Sequence, residues 1–240
     1  MRSTLRFASR LLTMVCLLLG LGATTAFAQI SFNDFSNVTS LKLNGAAAQA
    51  TNANNQKVLR LTPDKKTHVS GSAWFATSQQ SVTSGFTTSF TFQITHASSQ
   101  ADGLAFVIQN STGNGFGTSA RGGSGGAIGY GVPDPGDNGV AIPDSLAVEF
   151  DTFDNTAWDP NNNHVAVQSC GTGSNTQNHN AICMNGNPAN FGINSNLGAI
   201  SLFDGTVHTA VVDYDPGTLR VFIDDLGVPV LVIRWHALAE

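Results

Sequence analysis

Glu149, Asp151, Asn155, Asp159 and His164 fall in one run, Ser145–His164, that begins as a strand and ends as a polar loop. Leu146, Val148, Phe150 and Thr152 alternate with Ala147, Glu149, Asp151 and Phe153, the period of two of a pleated strand. Glu149 and Asp151 therefore share a face, about 7 Å apart along the chain, and can chelate from the same side. The Asn- and Pro-rich segment that follows cannot continue the strand. It offers the Phe153 carbonyl, the Asn155 side-chain oxygen, Asp159 and the His164 imidazole. Oxygen donors alone suit Ca²⁺, and adding an imidazole favours a transition ion such as Mn²⁺. Two adjacent ions sharing Asp151 and Asp159 would use every donor. Solvated acids beside a strand end are the ordinary alternative. The crowding of six donors between Glu149 and His164 argues against it.

What must position these groups is an all-β chain. Arg2, Arg6 and Arg10 precede an apolar run, Leu11–Gly22, and Ala26-Phe27-Ala28 is a small-x-small cleavage site. Residues 1–28 thus read as a signal peptide, too short in its apolar part to span a bilayer, with residues 29–240 as one domain. The expected location is secreted, extracellular or periplasmic. Charged residues are 11% of the chain and the net charge is −5, so neither nucleic acid nor an anionic membrane surface is an expected partner. Cys170 and Cys183 remain in the mature chain. In an oxidising compartment they would most simply pair, closing an Asn-rich loop for about 3 kcal/mol of stability in the chain-entropy model; free thiols or a metal pair are the alternatives.

Strand signals recur at Val58–Leu61, Ser72–Ala76, Phe86–Ile94, Leu104–Gln109, Val207–Tyr214 and Leu219–Ile223. Leu104–Gln109 is apolar on both faces and is expected to be a central strand. Ala46–Asn55 reads as a loop from its Asn and Thr content. Gly113–Gly131 is a long glycine-rich loop, and Asp215-Pro-Gly217 is a hairpin turn. Many short strands with Gly, Pro and Asn turns imply an antiparallel sandwich or barrel.

Ala147-Val-Glu-Phe-Asp-Thr-Phe153, Asn155, Trp158-Asp-Pro160 and His164-Val-Ala-Val167 together resemble the metal-binding signature of the legume-type (L-type) lectins, and the chain is identified as a bacterial member. The resemblance implies a concanavalin-like jelly-roll sandwich. It gives Glu149 and His164 to Mn²⁺ or another transition ion, the Phe153 carbonyl and Asn155 to Ca²⁺, and Asp151 and Asp159 to both. Ala101-Asp-Gly-Leu-Ala-Phe-Val107 is similar to a second family motif. There the Ala–Asp peptide is cis, the calcium site holds it so, and the aspartate binds sugar hydroxyls; Asp102 takes that role here. Gly125-Gly-Ala-Ile-Gly129 is similar to a third, in which a glycine N–H, here that of Gly126, reaches a sugar oxygen. With Asn155 and the Phe153 ring these groups supply the hydrogen bonds and apolar wall that a pyranose requires. Single-site binding would be weak, and multivalency through a homo-oligomer would supply avidity.

The resemblance runs from Ile30 to Ile223. The loop closed by Cys170 and Cys183 is absent from plant members. The family's last two strands find no counterpart before Glu240, so the sandwich is expected to lack them unless Val228–Trp235 substitutes imperfectly or a partner completes the sheet. The expected function is secreted, non-enzymatic, metal-dependent binding of glycans or glycoconjugates. One alternative is a β-glucanase-like hydrolase, because Glu149-Phe-Asp151-Thr-Phe-Asp154 resembles an E-x-D-x-x-E motif, with Asp154 at the acid/base position. Another is a structural or adhesive surface domain with a vestigial sugar site. No Lys-Ser/Thr follows the glycines, which excludes a P-loop, and no G-x-S-x-G frames a nucleophile. His68, His96, His179, His208 and His236 show no ligand spacing and read as surface or ordinary polar residues.

Overall fold

Alternating apolar and polar residues fold as paired, half-covered strands, and the computed structural model is built from such pairs. It describes residues 30–76, 81–95 and 101–235. The leader expected over residues 1–28, and His96 and His236, lie outside the described residues. The strands in chain order are β1 (Leu41–Gly45), β2 (Ala48–Thr51), β3 (Lys57–Arg60), β4 (Gly71–Phe75), β5 (Phe86–Phe92), β6 (Gly103–Gln109), β7 (Ser145–Asp151), β8 (His164–Ser169), β9 (Asn190–Asn194), β10 (His208–Asp215), β11 (Thr218–Ile223) and β12 (Leu231–Arg234). One four-stranded sheet runs β6-β7-β8-β9 and another β12-β11-β10-β5, with β1-β4 and β2-β3 as separate pairs. All of the pairings are antiparallel. The expected all-β antiparallel sandwich is the fold observed.

Between the two larger sheets, Val148 and Phe150 of β7 and Val165 and Val167 of β8 pack with Phe92, Ala210, Val212, Val221, Ile223 and Ile233. The intervening residues must then face the other way. There Ala147 joins Ala120, Ile128, Tyr130 and Ile142 from the long loop over that face, with Trp74, Ala105 and Val107 against them. Glu149 and Asp151 lie on this second face, under the glycine-rich loop. Register adds the next constraint: Asp151 stands opposite His164 on β8 and opposite Gly103 on β6.

Two expectations need correcting. Ala48–Thr51 is a strand, not part of a loop, because the loop signal belongs only to Asn52–Gln56. The Asn52 side chain accepts from the N–H groups of Asn54 and Gln56 at 3.0 and 2.9 Å and turns β2 into β3. β6 is apolar on both faces yet stands at the end of its described sheet, not in the middle. Leu104 and Phe106 face the inter-sheet core while Ala105 and Val107 face the second cluster, so cover on both faces, not central position, explains its composition. Within Val228–Trp235, β12 forms the end of the β12-β11-β10-β5 sheet by pairing with β11, Ile233 opposite Leu219.

Phe150 has no exposed surface, and its ring centroid lies 5.9 Å from that of Phe90 and 5.3 Å from that of Phe92. Phe150→Ala leaves a cavity between the sheets and is expected to cost about 3–5 kcal/mol. Urea unfolding read by far-UV circular dichroism checks this, and a loss below about 1 kcal/mol would mean that the sheets do not close on this ring.

Candidate functional site

Strand β7 carries Glu149 and Asp151, the start of β8 carries His164, and the loop between them carries Asp159. The oxygens of Asp151 and Asp159 and a ring nitrogen of His164 lie within 4.8 Å of one another. A second set, sharing His164, joins Glu149, His164 and His179, again within 4.8 Å. His164 Nε2 is 3.9 Å from both Glu149 Oε1 and Asp151 Oδ2. The four metal-ligating side chains expected to surround the transition ion are therefore brought together.

His179 is a correction: it is neither a surface residue nor free of ligand geometry. Its Nε2 lies 3.0 Å from Glu149 Oε1, 3.4 Å from Asp159 Oδ1 and 3.0 Å from His164 Nε2. Its side chain is only 5% exposed. Sequence spacing could not reveal it, because His179 arrives on the loop between Cys170 and Cys183, whose path no periodicity sets. Those cysteines form the expected disulfide, with Cα atoms 5.4 Å apart. Tyr130 was also missed; its hydroxyl donates to Glu149 Oε2 at 2.6 Å from the loop above the sheet.

Burying acids this way has an electrostatic cost. Desolvation, with Asp159 nearby, pushes the Glu149 carboxyl up to about 8, although the Tyr130 hydroxyl opposes the shift. Desolvation likewise pushes Asp151 to about 9, against the opposing N–H of Phe153 and with the charges of Glu149, Asp159 and Asp102 adding to the rise. Burial also raises Asp159. The histidines give no compensating charge, since burial lowers His164 and takes His179 to about 4. Glu149 Oε1 is buried without a hydrogen-bond partner, because the nearby His179 nitrogen is bonded to His164 instead. Several oxygens and two imidazole nitrogens in two adjoining sets that share His164, with one oxygen orphaned, fit a divalent cation.

The expected sugar-facing residues converge on the loop side of this cluster. The Ala101–Asp102 peptide is cis. The Asp102 carbonyl accepts the Thr152 N–H at 2.9 Å, which fixes Asp102 beside the end of β7. A Cβ built on Gly125 would lie 4.0 Å from the Asp102 carboxylate, and one on Gly126 would come within 2.8 Å of Asn155 Nδ2, closer than Cβ atoms approach. Glycine at 126 thus lets the loop backbone rest on Asn155. The Asn155 N–H donates to Asp159 Oδ2 at 2.8 Å, linking the sugar-side residue to the acid cluster. Phe153 is 41% exposed and its N–H donates to Asp151 Oδ1 at 2.8 Å. Burial is the largest cause of the rise in Asp102, and Asp134 and Asp159 add to it. Asp154 is exposed and accepts the Thr156 N–H at 2.7 Å, whereas Glu149 is fully buried, so the two do not face a common substrate as the carboxyl pair of a glucanase must.

Residues 27–228 match the family described as the legume lectin domain. A curated relative, Agglutinin-2 of Cladrastis kentukea, is 37% identical over 83 residues, 34% of this chain and 27% of that protein. The match thus spans about a quarter of that relative's length. Among solved structures, a lectin from Bauhinia forficata in complex with GalNAc aligns at a TM-score of 0.50 and 22% identity, over 83% of this chain and 79% of that one. The VIP36 exoplasmic/lumenal domain in its Ca²⁺/Man-bound form aligns at 0.52 and 14%, over 81% and 70%. At these identities the structural likeness shows the fold.

The raised acids make metal-free stability depend on pH. Folded Glu149 and Asp151 keep protons until about pH 8 and 9, whereas at their ordinary values of 4.5 and 3.8 the unfolded chain has released them, so the folded state binds more protons and loses stability as pH rises. The depressed histidines act in the opposite sense, but their contribution is complete once pH exceeds their ordinary value of 6.5. Above that pH the acids dominate the site, at up to about 1.4 kcal/mol per pH unit for each. Urea unfolding in chelator between pH 6.5 and 9 is expected to show falling stability in the wild type and a smaller fall in Asp151→Asn. A flat or rising wild-type curve contradicts this account.

Proposed function

The chain belongs to the legume lectin domain family of non-catalytic carbohydrate-binding proteins, and from that premise we propose that it is a secreted lectin whose glycan binding depends on Ca²⁺ and a transition ion such as Mn²⁺. Glu149 and His164 would hold the transition ion, the Phe153 carbonyl and Asn155 the Ca²⁺, and Asp151 and Asp159 both. When bound, the ions supply the positive charge that the acid cluster lacks. The chain's own residues do the rest. Asp102 accepts from sugar hydroxyls, the Gly126 N–H and the Asn155 amide donate, and the Phe153 ring offers an apolar surface to the C–H side of a pyranose.

The observation that carries this reading is the convergence of Asp102, the Gly125-Gly126 backbone and Asn155, with Asn155 hydrogen-bonded to Asp159 of the acid cluster. The half-exposed Phe153 ring beside them supports it. The partner is a glycan or glycoconjugate, and a homo-oligomer presenting several sites would raise avidity. The leader-like residues 1–28 and the Cys170–Cys183 disulfide support a secreted, extracellular or periplasmic location. The described residues contain no helix long and apolar enough to cross a membrane.

Glycan-array binding before and after chelation, with metal content measured in parallel, tests the proposal. Binding should vanish with the metals and return with Ca²⁺ and Mn²⁺. Asp102→Ala removes a charge-assisted acceptor worth about 1.5–3 kcal/mol, so affinity should fall at least about tenfold while metal content stays unchanged. Binding that survives both chelation and this substitution would defeat the proposal.

A further inference from the structure

The loop closed by Cys170 and Cys183 presents His179 to the point where Glu149 Oε1 is left without a partner. Its position is held from several sides. Asn180 Nδ2 donates to the Ala157 carbonyl at 3.0 Å, the Gln177 side-chain oxygen accepts the Val132 N–H at 2.9 Å, and the Ala189 N–H donates to Ala181 at 3.0 Å. With the disulfide, these contacts make the imidazole a fixed wall of the cluster.

We propose that His179 is a fifth protein ligand of the transition-ion position, alongside Glu149, Asp151, Asp159 and His164. This rests on the reading that the acid cluster holds an ion, and goes beyond it in ligand number and metal preference. Ligands at about 2.1 Å from one ion lie roughly 3.0 Å apart at a right angle and roughly 4.2 Å apart on opposite sides. Of the ten pairs such a site contains, the five among His179, His164 and the acids at 3.0, 3.0, 3.4, 3.9 and 3.9 Å fall within that range, and the two three-residue sets meet at His164, so loading would draw the remaining donors inward.

The tautomers show how the site would change on loading. His164 Nδ1 faces the Asn161 carbonyl at 2.8 Å, so Nδ1 carries the proton and Nε2 is free to ligate. His179 Nδ1 lies 2.7 Å from the Gln168 amide nitrogen, which donates to it, so its Nε2 carries a proton toward His164. A half-turn of the Gln168 amide reverses this. Gln168 Oε1, buried and unpartnered, then accepts the Nδ1 proton and frees Nε2 for the ion, at the expense of the 3.2 Å bond from the amide to the Gln177 carbonyl. A ligating histidine ordinarily has such an acceptor behind it. Two imidazoles also move the site's preference from Mn²⁺ toward borderline ions such as Zn²⁺ or Co²⁺.

X-ray absorption at the zinc edge, on full-length mature protein loaded with Ca²⁺ and one equivalent of Zn²⁺, counts the imidazoles directly. Two are expected in the wild type and one in His179→Ala. Competition against a chelator should show Zn²⁺ affinity reduced at least about 10–100-fold in His179→Ala, with Mn²⁺ less affected. His179→Gln serves if the alanine variant does not fold, and the wild-type count stands without either. Tight Zn²⁺ binding through a single imidazole, or unchanged affinity in the variants, would overturn the role of His179 and leave the lectin reading intact. A wild-type protein that binds no ion would overturn both.

Discussion

Carboxylates taken out of water need a positive charge, and this sheet with its adjoining loop buries Glu149, Asp151 and Asp159 about His164. Among the described residues, the close ion-pair partners of these acids are His164 and His179, both held toward the neutral form by burial. An isolated buried carboxylate is costly enough that it takes up a proton instead, as the raised values of Glu149 and Asp151 record. The arrangement therefore makes sense as a receptor for charge brought from outside. Neighbouring geometry follows from that need. The Tyr130 hydroxyl satisfies one Glu149 oxygen and leaves the other aimed into the cluster.

The sheet makes this possible because a strand separates its two tasks by parity. Val148 and Phe150 close the core between sheets, so Ala147, Glu149 and Asp151 must face the opposite side. Antiparallel register then sets Asp151, the last residue of β7, against His164, the first of β8. A slip by one residue would exchange the faces, placing the acids in the apolar core and the aromatic ring among the ligands. The inter-sheet packing of Phe150 with Phe90 and Phe92 thus guards the site as well as the fold.

This division also explains what could be read in the sequence. Alternation in β7 and β8 is local, so the face shared by Glu149 and Asp151 was legible, as were the sandwich and the pairing of Cys170 with Cys183. The order of motifs in the family resemblance pointed to Asp102, Gly126 and Asn155, which do converge. His179 and Tyr130 were not legible, because each reaches Glu149 through a loop whose path depends on tertiary contacts. β2 was obscured by an Asn-rich turn adjoining it, and β6 misled because a strand covered by loops on one face resembles a central strand in composition.

The loop from Thr152 to Asp159 ties the two halves of the site together mechanically. At one end the Thr152 N–H reaches the Asp102 carbonyl, and at the other the Asn155 N–H reaches Asp159, while the Asn155 side chain lies under Gly126. Any cation drawn to Asp151 and Asp159 would therefore act on a segment that touches every sugar-facing group. On the proposed reading the ions hold a loop in shape and need not touch the reacting bonds of any substrate. That separates this acid cluster from a hydrolase site, where a carboxyl pair must stand across a scissile bond at a set distance. Here Asp154, the residue that would complete such a pair, lies exposed and bonded to its own turn.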